Sequence, residues 1–201
     1  MKQIIPINLA TEDSLSEAVL RKMIMHTRRS FHIGLCYSRG GITYLKRMLP
    51  GFNSGAKATL FLVLIDFDRA ECPPFKFWEW LHFPRHHNLL LRVAVKEVES
   101  WLLADRLNFA KFLGISKDNI PADVEGIEDP KEFLINLARR SRKRLLREDI
   151  IPSRGSTAKI GPNYNGCLIS FVADMWDVHK ATQHSPSIKR TMTVLRQFHP
   201  E

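Results

Sequence analysis

The sequence predicts an α/β fold: a mostly parallel four-stranded sheet with helices on both faces, followed by a helical C-terminal extension. Three observations carry that expectation. Residues 60–65 (LFLVLI) and 89–95 (LLLRVAV) are near-continuous apolar runs, which fit strands buried on both faces of a parallel sheet. Strand-like and helix-like segments alternate about four times in the first half of the chain. Beyond that half no strand pattern recurs. The boundaries so read are 1–115 for the α/β core and 116–201 for an extension packed on it.

The elements follow in order. Residues 4–9 are short and β-branched, a first strand. Ser14 offers an N-cap with Glu17 at capping-box spacing and Ala18, Val19, Leu20, Met23 and Ile24 behind it, so a helix is expected over 15–28. Residues 31–37 form a second strand ending near Gly40-Gly41. A short helix over 44–48 is expected to stop at Pro50-Gly51. The runs at 60–65 and 89–95 are the third and fourth strands. Trp101, Leu102, Leu107, Phe109, Phe112 and Leu113 give a helix over 99–112 closed by Gly114. In the extension, helices are expected over 130–147 (with Pro130 in its first turn), 164–178 and 187–198, separated by a loop over 148–163.

Composition narrows the function classes. The chain has 201 residues, 44% apolar and 25% charged, close to the globular average, which excludes general disorder. Its longest apolar run is too short to span a bilayer. The N-terminus, MKQIIPINLATEDS, lacks the apolar region and cleavage site of a signal peptide. Cys36, Cys72 and Cys167 are odd in number and widely spaced, so neither a disulfide framework nor a CxxC zinc pattern fits, and a reducing cytoplasm is expected. The net charge of +9 predicts attraction to polyanions.

Against that positive background, the acids are grouped. Asp66 and Asp68 stand at the C-terminal end of a buried strand, two residues apart and therefore on one side of it. Glu12 and Asp13 follow the first strand, and Glu97 and Glu99 follow the fourth. In a parallel sheet these three strand ends open on one edge, where ligand sites form. Converging carboxylates repel unless a cation lies between them, and hard oxygen donors suit Mg²⁺ or Mn²⁺. The plainer alternative is that Glu12, Asp13 and Glu99 cap helices and the Asp66/Asp68 pair bonds loop amides.

An acid after strand one, D-x-D after a later buried strand and further acid beyond resemble the layout of the TOPRIM fold of topoisomerases, primases and OLD nucleases. More narrowly, TEDSLSEAVLRKM, FLVLIDFDRAECPP, RVAVKEVESWLLAD, DPKEFLINLARRSRKRL and KIGPNYNGCLISFV resemble a TOPRIM-like family of unknown function often encoded beside AAA-type ATPases in bacterial defence loci. The resemblance implies metal-dependent phosphodiester hydrolysis. It gives Glu12 the role of the TOPRIM glutamate, Asp66 and Asp68 that of the metal pair, and Glu97 or Glu99 that of the further ligand. Lys159 is the matching lysine near the chemistry. Asp13 stands where that fold usually has glycine. Ser16 stands where OLD-type enzymes place a second acid, with Glu17 one position late. These departures count against a complete two-metal set.

Arg139, Arg140, Arg142, Lys143 and Arg144 form a basic run that suits a phosphate backbone, with Leu145 and Leu146 turned inward. A solvated helix end is the alternative. His82, His86 and His87 with Cys72 read as structural or solvated, because Pro84 breaks ligand spacing. Trp78, Trp80 and Trp101 read as packing. Gly155 and Gly161 do not match a nucleotide-binding loop. The leading expectation is a divalent-metal-dependent nuclease acting on DNA or RNA, with an ATPase partner and no membrane association. Behind it stand a non-catalytic nucleic-acid-binding or regulatory subunit, and then a haloacid-dehalogenase-like phosphatase, which Arg69 after the second Asp disfavours.

Overall fold

The computed structural model describes residues 4–38, 40–67 and 80–200. Four strands, β1 (Ile5–Ala10), β2 (Phe31–Tyr37), β3 (Leu60–Phe67) and β4 (Leu89–Val95), form one sheet in the order β2-β1-β3-β4. Every pairing is parallel. Period-two alternation sorts the strand side chains onto two faces. Ile5, Ile7, Leu9, Leu60, Leu62, Leu64, Leu90 and Ala94 face one apolar cluster, and Ala10, Phe61, Val63, Ile65, Leu89 and Leu91 face the other.

Helix α1 (Ser14–Met25) covers the first face with Leu15, Val19, Leu20 and Met23, all fully buried. Helix α2 (Gly41–Gly55) covers the second with Leu45, Leu49 and Phe52. Contrary to expectation, α2 runs through Pro50. Proline removes one helical hydrogen bond, but Leu45, Leu49 and Phe52 lie on a single stripe across that point. Phe52 also packs against Tyr37 and Phe61, with ring centroids 5.2 and 5.4 Å away. Burying side chains of this size contributes roughly 1.5–3 kcal/mol each, enough to offset the missing bond.

Two expected helices are each broken in two. Residues 98–113 form α3 (Val98–Ala104) and α4 (Arg106–Leu113). Asp105 divides them: its carboxylate caps α4 through the Asn108 amide and also accepts the Asp177 amide at 2.8 Å. Gly114, at φ 70°, ends α4 in the left-handed conformation. Residues 130–150 form α5 (Pro130–Arg139) and α6 (Arg144–Ile150). Buried Ser141 turns the chain between them, donating its hydroxyl to the Leu113 carbonyl and accepting the Lys143 amide.

The rest of the extension is α7 (Tyr164–Asp174), the single turn α8 (Val178–Ala181) and α9 (Pro186–Gln197). It continues the core: Leu168, Phe171, Val172, Ile188, Met192 and Leu195 belong to the same apolar cluster as β1 and α1. Polar bonds join the two parts as well. The Trp101 indole donates to Ser187 Oγ at 2.7 Å, and the Trp176 indole donates to the Trp101 carbonyl at 3.1 Å. Trp101 is thus packing, as its sequence context predicts. Among the described residues no helix is long and apolar enough to cross a membrane.

Candidate functional site

The connection after β1 leaves over one face and the connection after β2 returns over the other, so the two connections diverge at the paired carboxyl ends of β1 and β3, the place where a crevice opens in such sheets. Such a switch point is where α/β sheets bind ligands. Glu12 lies just beyond β1, and its Oε1 accepts the backbone N–H of Asp66 at 2.9 Å. The first and third strand ends are therefore joined by a carboxylate on a backbone amide. Asp13 caps α1, accepting the Ser16 amide at 2.8 Å. Ser16 is buried, and its hydroxyl has no hydrogen-bond partner. Asp68 lies outside the described residues.

The fourth strand end is built differently. Lys96 takes φ 73°, a left-handed conformation unusual for a residue with a side chain. That bend reverses the chain between β4 and α3. Glu97 then sits at the N-cap of α3 and Glu99 in its first turn, 2% exposed. Both carboxylates meet Lys131. Glu97 Oε2 accepts the Lys131 backbone N–H and Oε1 accepts its ammonium, each at 3.2 Å. The ammonium lies 3.6 Å from Glu99 Oε1. The same Glu99 oxygen accepts the Tyr164 hydroxyl at 3.0 Å. Two acid oxygens there, Asp66 Oδ1 and Glu99 Oε2, are buried without a hydrogen-bond partner among the described residues.

The electrostatics follow from this crowding. Burial, and then the charges of Glu99, Glu12 and Asp13, hold the Asp66 carboxyl well above the usual carboxylate range. Burial pushes Glu99 up to about 7, with Lys131 opposing and Glu97 reinforcing the rise. Burial alone would lower the Lys131 ammonium, but Glu99 and Glu97 reverse that and raise it. Burial and the neighbouring Glu99 raise the Tyr164 phenol.

Lys131 was invisible to motif reasoning, yet one signal pointed to it. It stands next to Pro130 in the first turn of α5, where the helix dipole disfavours a cation. A lysine there needs an acid in front of it. Lys159, by contrast, is exposed in the loop before α7. The glycine of that loop has a structural role: a Cβ on Gly161 would collide with the Asp149 carbonyl, and its amide bonds the Ile150 carbonyl at 2.9 Å. This close approach fixes the start of α7 and with it Tyr164.

The basic run is exposed at all five positions, Arg139, Arg140, Arg142, Lys143 and Arg144. Arg140 donates to Asn119 Oδ1 at 2.8 Å, and Lys143 reaches the Phe112 carbonyl at the end of α4, also at 2.8 Å. Arg144 pairs with Glu148 at 2.8 Å. Leu146 packs on the core, but Leu145 is 75% exposed rather than inward, because the break at Ser141 rotates α6 relative to a continuous helix. A second positive cluster escaped the sequence: Arg92 on β4 is depressed by burial and by Arg85 and Arg190.

His86 and His87 are engaged locally. His86 Nδ1 accepts the Asn88 amide, and the His87 ring bonds the His199 carbonyl at 2.8 Å and stacks on Phe198. Cys72 and Trp78 lie outside the described residues. Trp80 packs beside the second apolar cluster, with the Lys46 ammonium over its ring.

Two carboxylate oxygens, Asp66 Oδ1 and Glu99 Oε2, are buried and unpartnered among the described residues, and hard oxygen donors of this kind suit a divalent cation, although the Lys131 ammonium already lies against Glu97 and Glu99. Among the described residues no three His, Cys, Asp or Glu side chains gather as a complete metal site. No family model matches the chain, and neither a curated protein nor a solved structure matches it significantly.

Proposed function

We propose that this chain is a divalent-metal-dependent nuclease of TOPRIM-like design, cutting phosphodiester bonds in DNA or RNA in the cytoplasm together with an ATPase partner. One observation carries the reading. Asp66 Oδ1 and Glu99 Oε2 are buried and, among the described residues, unpartnered at the carboxyl edge of the sheet, in a chain of net charge +9. An orphaned buried carboxylate oxygen costs stability, so the arrangement calls for a cation. Mg²⁺ or Mn²⁺, when bound, neutralises phosphate charge and activates water. Glu12 positions Asp66 by holding its backbone. Tyr164 and Lys131 fix the orientation of Glu99. The exposed Arg139–Arg144 run and the Arg85, Arg92 and Arg190 cluster supply positive surface for the phosphate backbone.

The test is cleavage of plasmid, single-stranded DNA and RNA with Mg²⁺ or Mn²⁺. Activity that Asp66→Ala and Glu12→Ala both abolish supports the reading; activity that survives both changes refutes it. A second reading, a non-catalytic nucleic-acid-binding subunit, is favoured by the occupation of Glu97 and Glu99 by Lys131. Nucleic-acid binding with no cutting under either metal would establish it.

A further inference from the structure

Charge is unevenly spread along the chain. Residues 18–65 hold eight Lys and Arg and none of the 21 Asp and Glu, a local excess of eight against +9 for the whole chain. That segment supplies nearly all of α1, then β2, α2 and most of β3, the β2 side of the sheet. Its cations are not neutralised where they stand. Among the described residues Arg21 alone meets an acid, Glu17 at 2.8 Å. Lys22 and Arg29 donate to backbone carbonyls of the extension. Lys46 lies over the Trp80 ring and Arg47 over that of Tyr44. Carbonyls and rings orient a cation without cancelling its charge.

Three of these cations frame a bare strip of sheet. Alternation turns Pro6, Asn8 and His32 toward the side that α2 occupies, and Pro6 and His32 are cross-strand partners. α2 packs on β3 instead, with the Phe52 and Phe61 rings 5.4 Å apart. Pro6, His32, Gly34 and Leu35 are left exposed. Arg28 in the turn before β2 and Lys57 in the turn before β3 stand exposed at the amino edge of the sheet. α2 starts at the opposite edge, where the Gly41 amide donates to the Glu12 carbonyl at 3.2 Å, and it carries exposed Arg47 in its second turn. The strip thus leads from the acids of the candidate site to the amino edge, with cations at both ends.

We propose that this strip is a binding face for single-stranded nucleic acid, separate from the Arg139–Arg144 run: Arg28, Arg47 and Lys57 hold phosphates, and a base stacks on His32. The inference rests on the nucleic-acid reading above and deepens it by giving the strand a path to the site. Charge complementarity selects the occupant. Interfaces between proteins mix both signs around an apolar centre and are poor in lysine, whereas nucleic-acid interfaces are strongly positive. Exposed imidazole and backbone-level sheet surface suit an unpaired base.

The experiment is fluorescence anisotropy of a single-stranded oligonucleotide with the full chain in chelator buffer at pH 8, where no metal-dependent cutting occurs. Arg28→Gln, Arg47→Gln and Lys57→Gln combined should lower the slope of log K against log salt by up to about 2, roughly 0.7 for each phosphate released on a single strand. His32→Ala should weaken binding about fivefold or more with the slope unchanged, the scale of one lost stacking contact. Circular dichroism checks that the variants fold; Lys57→Gln alone, on an exposed turn, gives the same test at about a third of the size. Binding that keeps its slope in the triple variant, or its strength in His32→Ala, would overturn the inference and leave the nuclease reading to its own assay. Equal displacement by polyglutamate at matched charge would overturn it in favour of an acidic protein. A wild type that binds no oligonucleotide would sink both readings.

Discussion

Glu12, Asp66, Glu97 and Glu99 come from three separated segments that end at one sheet edge, Glu99 buried and the other three half-buried. Arg139, Arg140, Arg142, Lys143 and Arg144 are neighbours in sequence and stand out into solvent. The two regions carry opposite charge, but they differ more in what holds it. At the sheet edge Asp66 and Glu99 are set against neighbouring charges in a partly buried setting, so removing one acid changes the others near it. Along the basic run, screening by water and salt makes each charge nearly independent. Substitutions should therefore have large, coupled effects in the first region and small, additive effects in the second.

The largest contrast is catalytic. In the Mg²⁺ or Mn²⁺ cleavage assay, Asp66→Ala should lower the rate by at least about a hundredfold, the scale of removing one preorganised electrostatic group. Arg142→Ala should lower it only a few-fold. Comparable reductions from the two would erase the distinction.

Stability against pH sharpens the comparison further. An ordinary glutamate titrates near 4.5, while Glu99 is pushed up to about 7. Between those values the folded chain holds a proton that the unfolded chain has released. Folding therefore becomes less favourable as pH rises through that window, and the penalty is complete above it. For this group alone the destabilisation is about 3 kcal/mol, and Asp66 adds to it in the same direction. Urea unfolding in a metal-free chelator buffer should show wild type weaker at pH 8 than at pH 5, and Glu99→Gln should flatten part of the decline. An unchanged slope in Glu99→Gln would remove Glu99 as its cause.

These effects also show how far the sequence was legible. The parallel sheet could be read because LFLVLI and LLLRVAV need burial on both faces, a property of the segment itself. The meeting of Glu12 with Asp66 could be read because strand ends in a parallel sheet share an edge. The breaks at Asp105 and Ser141 could not. Each depends on a distant partner, the Asp177 amide and the Leu113 carbonyl, that outcompetes helix continuation. Lys131 stayed hidden for the same reason, since its role exists only once α5 is laid against α3. Pro50 misled in the other direction, because a local breaker yielded to the buried stripe on either side of it.

The basic run gives a smaller and differently shaped effect. Arg139 and Arg142 are exposed. Replacing both with alanine should leave folding unchanged. It should reduce the slope of log K against log salt for an oligonucleotide by up to about 1.8, roughly 0.9 for each phosphate no longer neutralised. Fluorescence anisotropy over a salt series measures this directly. An unchanged slope would move the nucleic-acid surface elsewhere, with Arg85, Arg92 and Arg190 next in line.

The smallest effect lies at the bend that delivers Glu97 and Glu99 to the crevice. Lys96 holds φ 73°, which a residue with a Cβ adopts at a cost of about 1 kcal/mol and glycine adopts freely. Glycine also gives the unfolded chain more freedom, which opposes the gain. The net change for Lys96→Gly should therefore lie within about 0.5–1 kcal/mol of zero and on the stabilising side, read from denaturant midpoints. A clear destabilisation would mean that the Lys96 side chain contributes packing or charge that outweighs its backbone strain. The bend would then be held by that side chain as well as by the carboxylates it presents to Lys131.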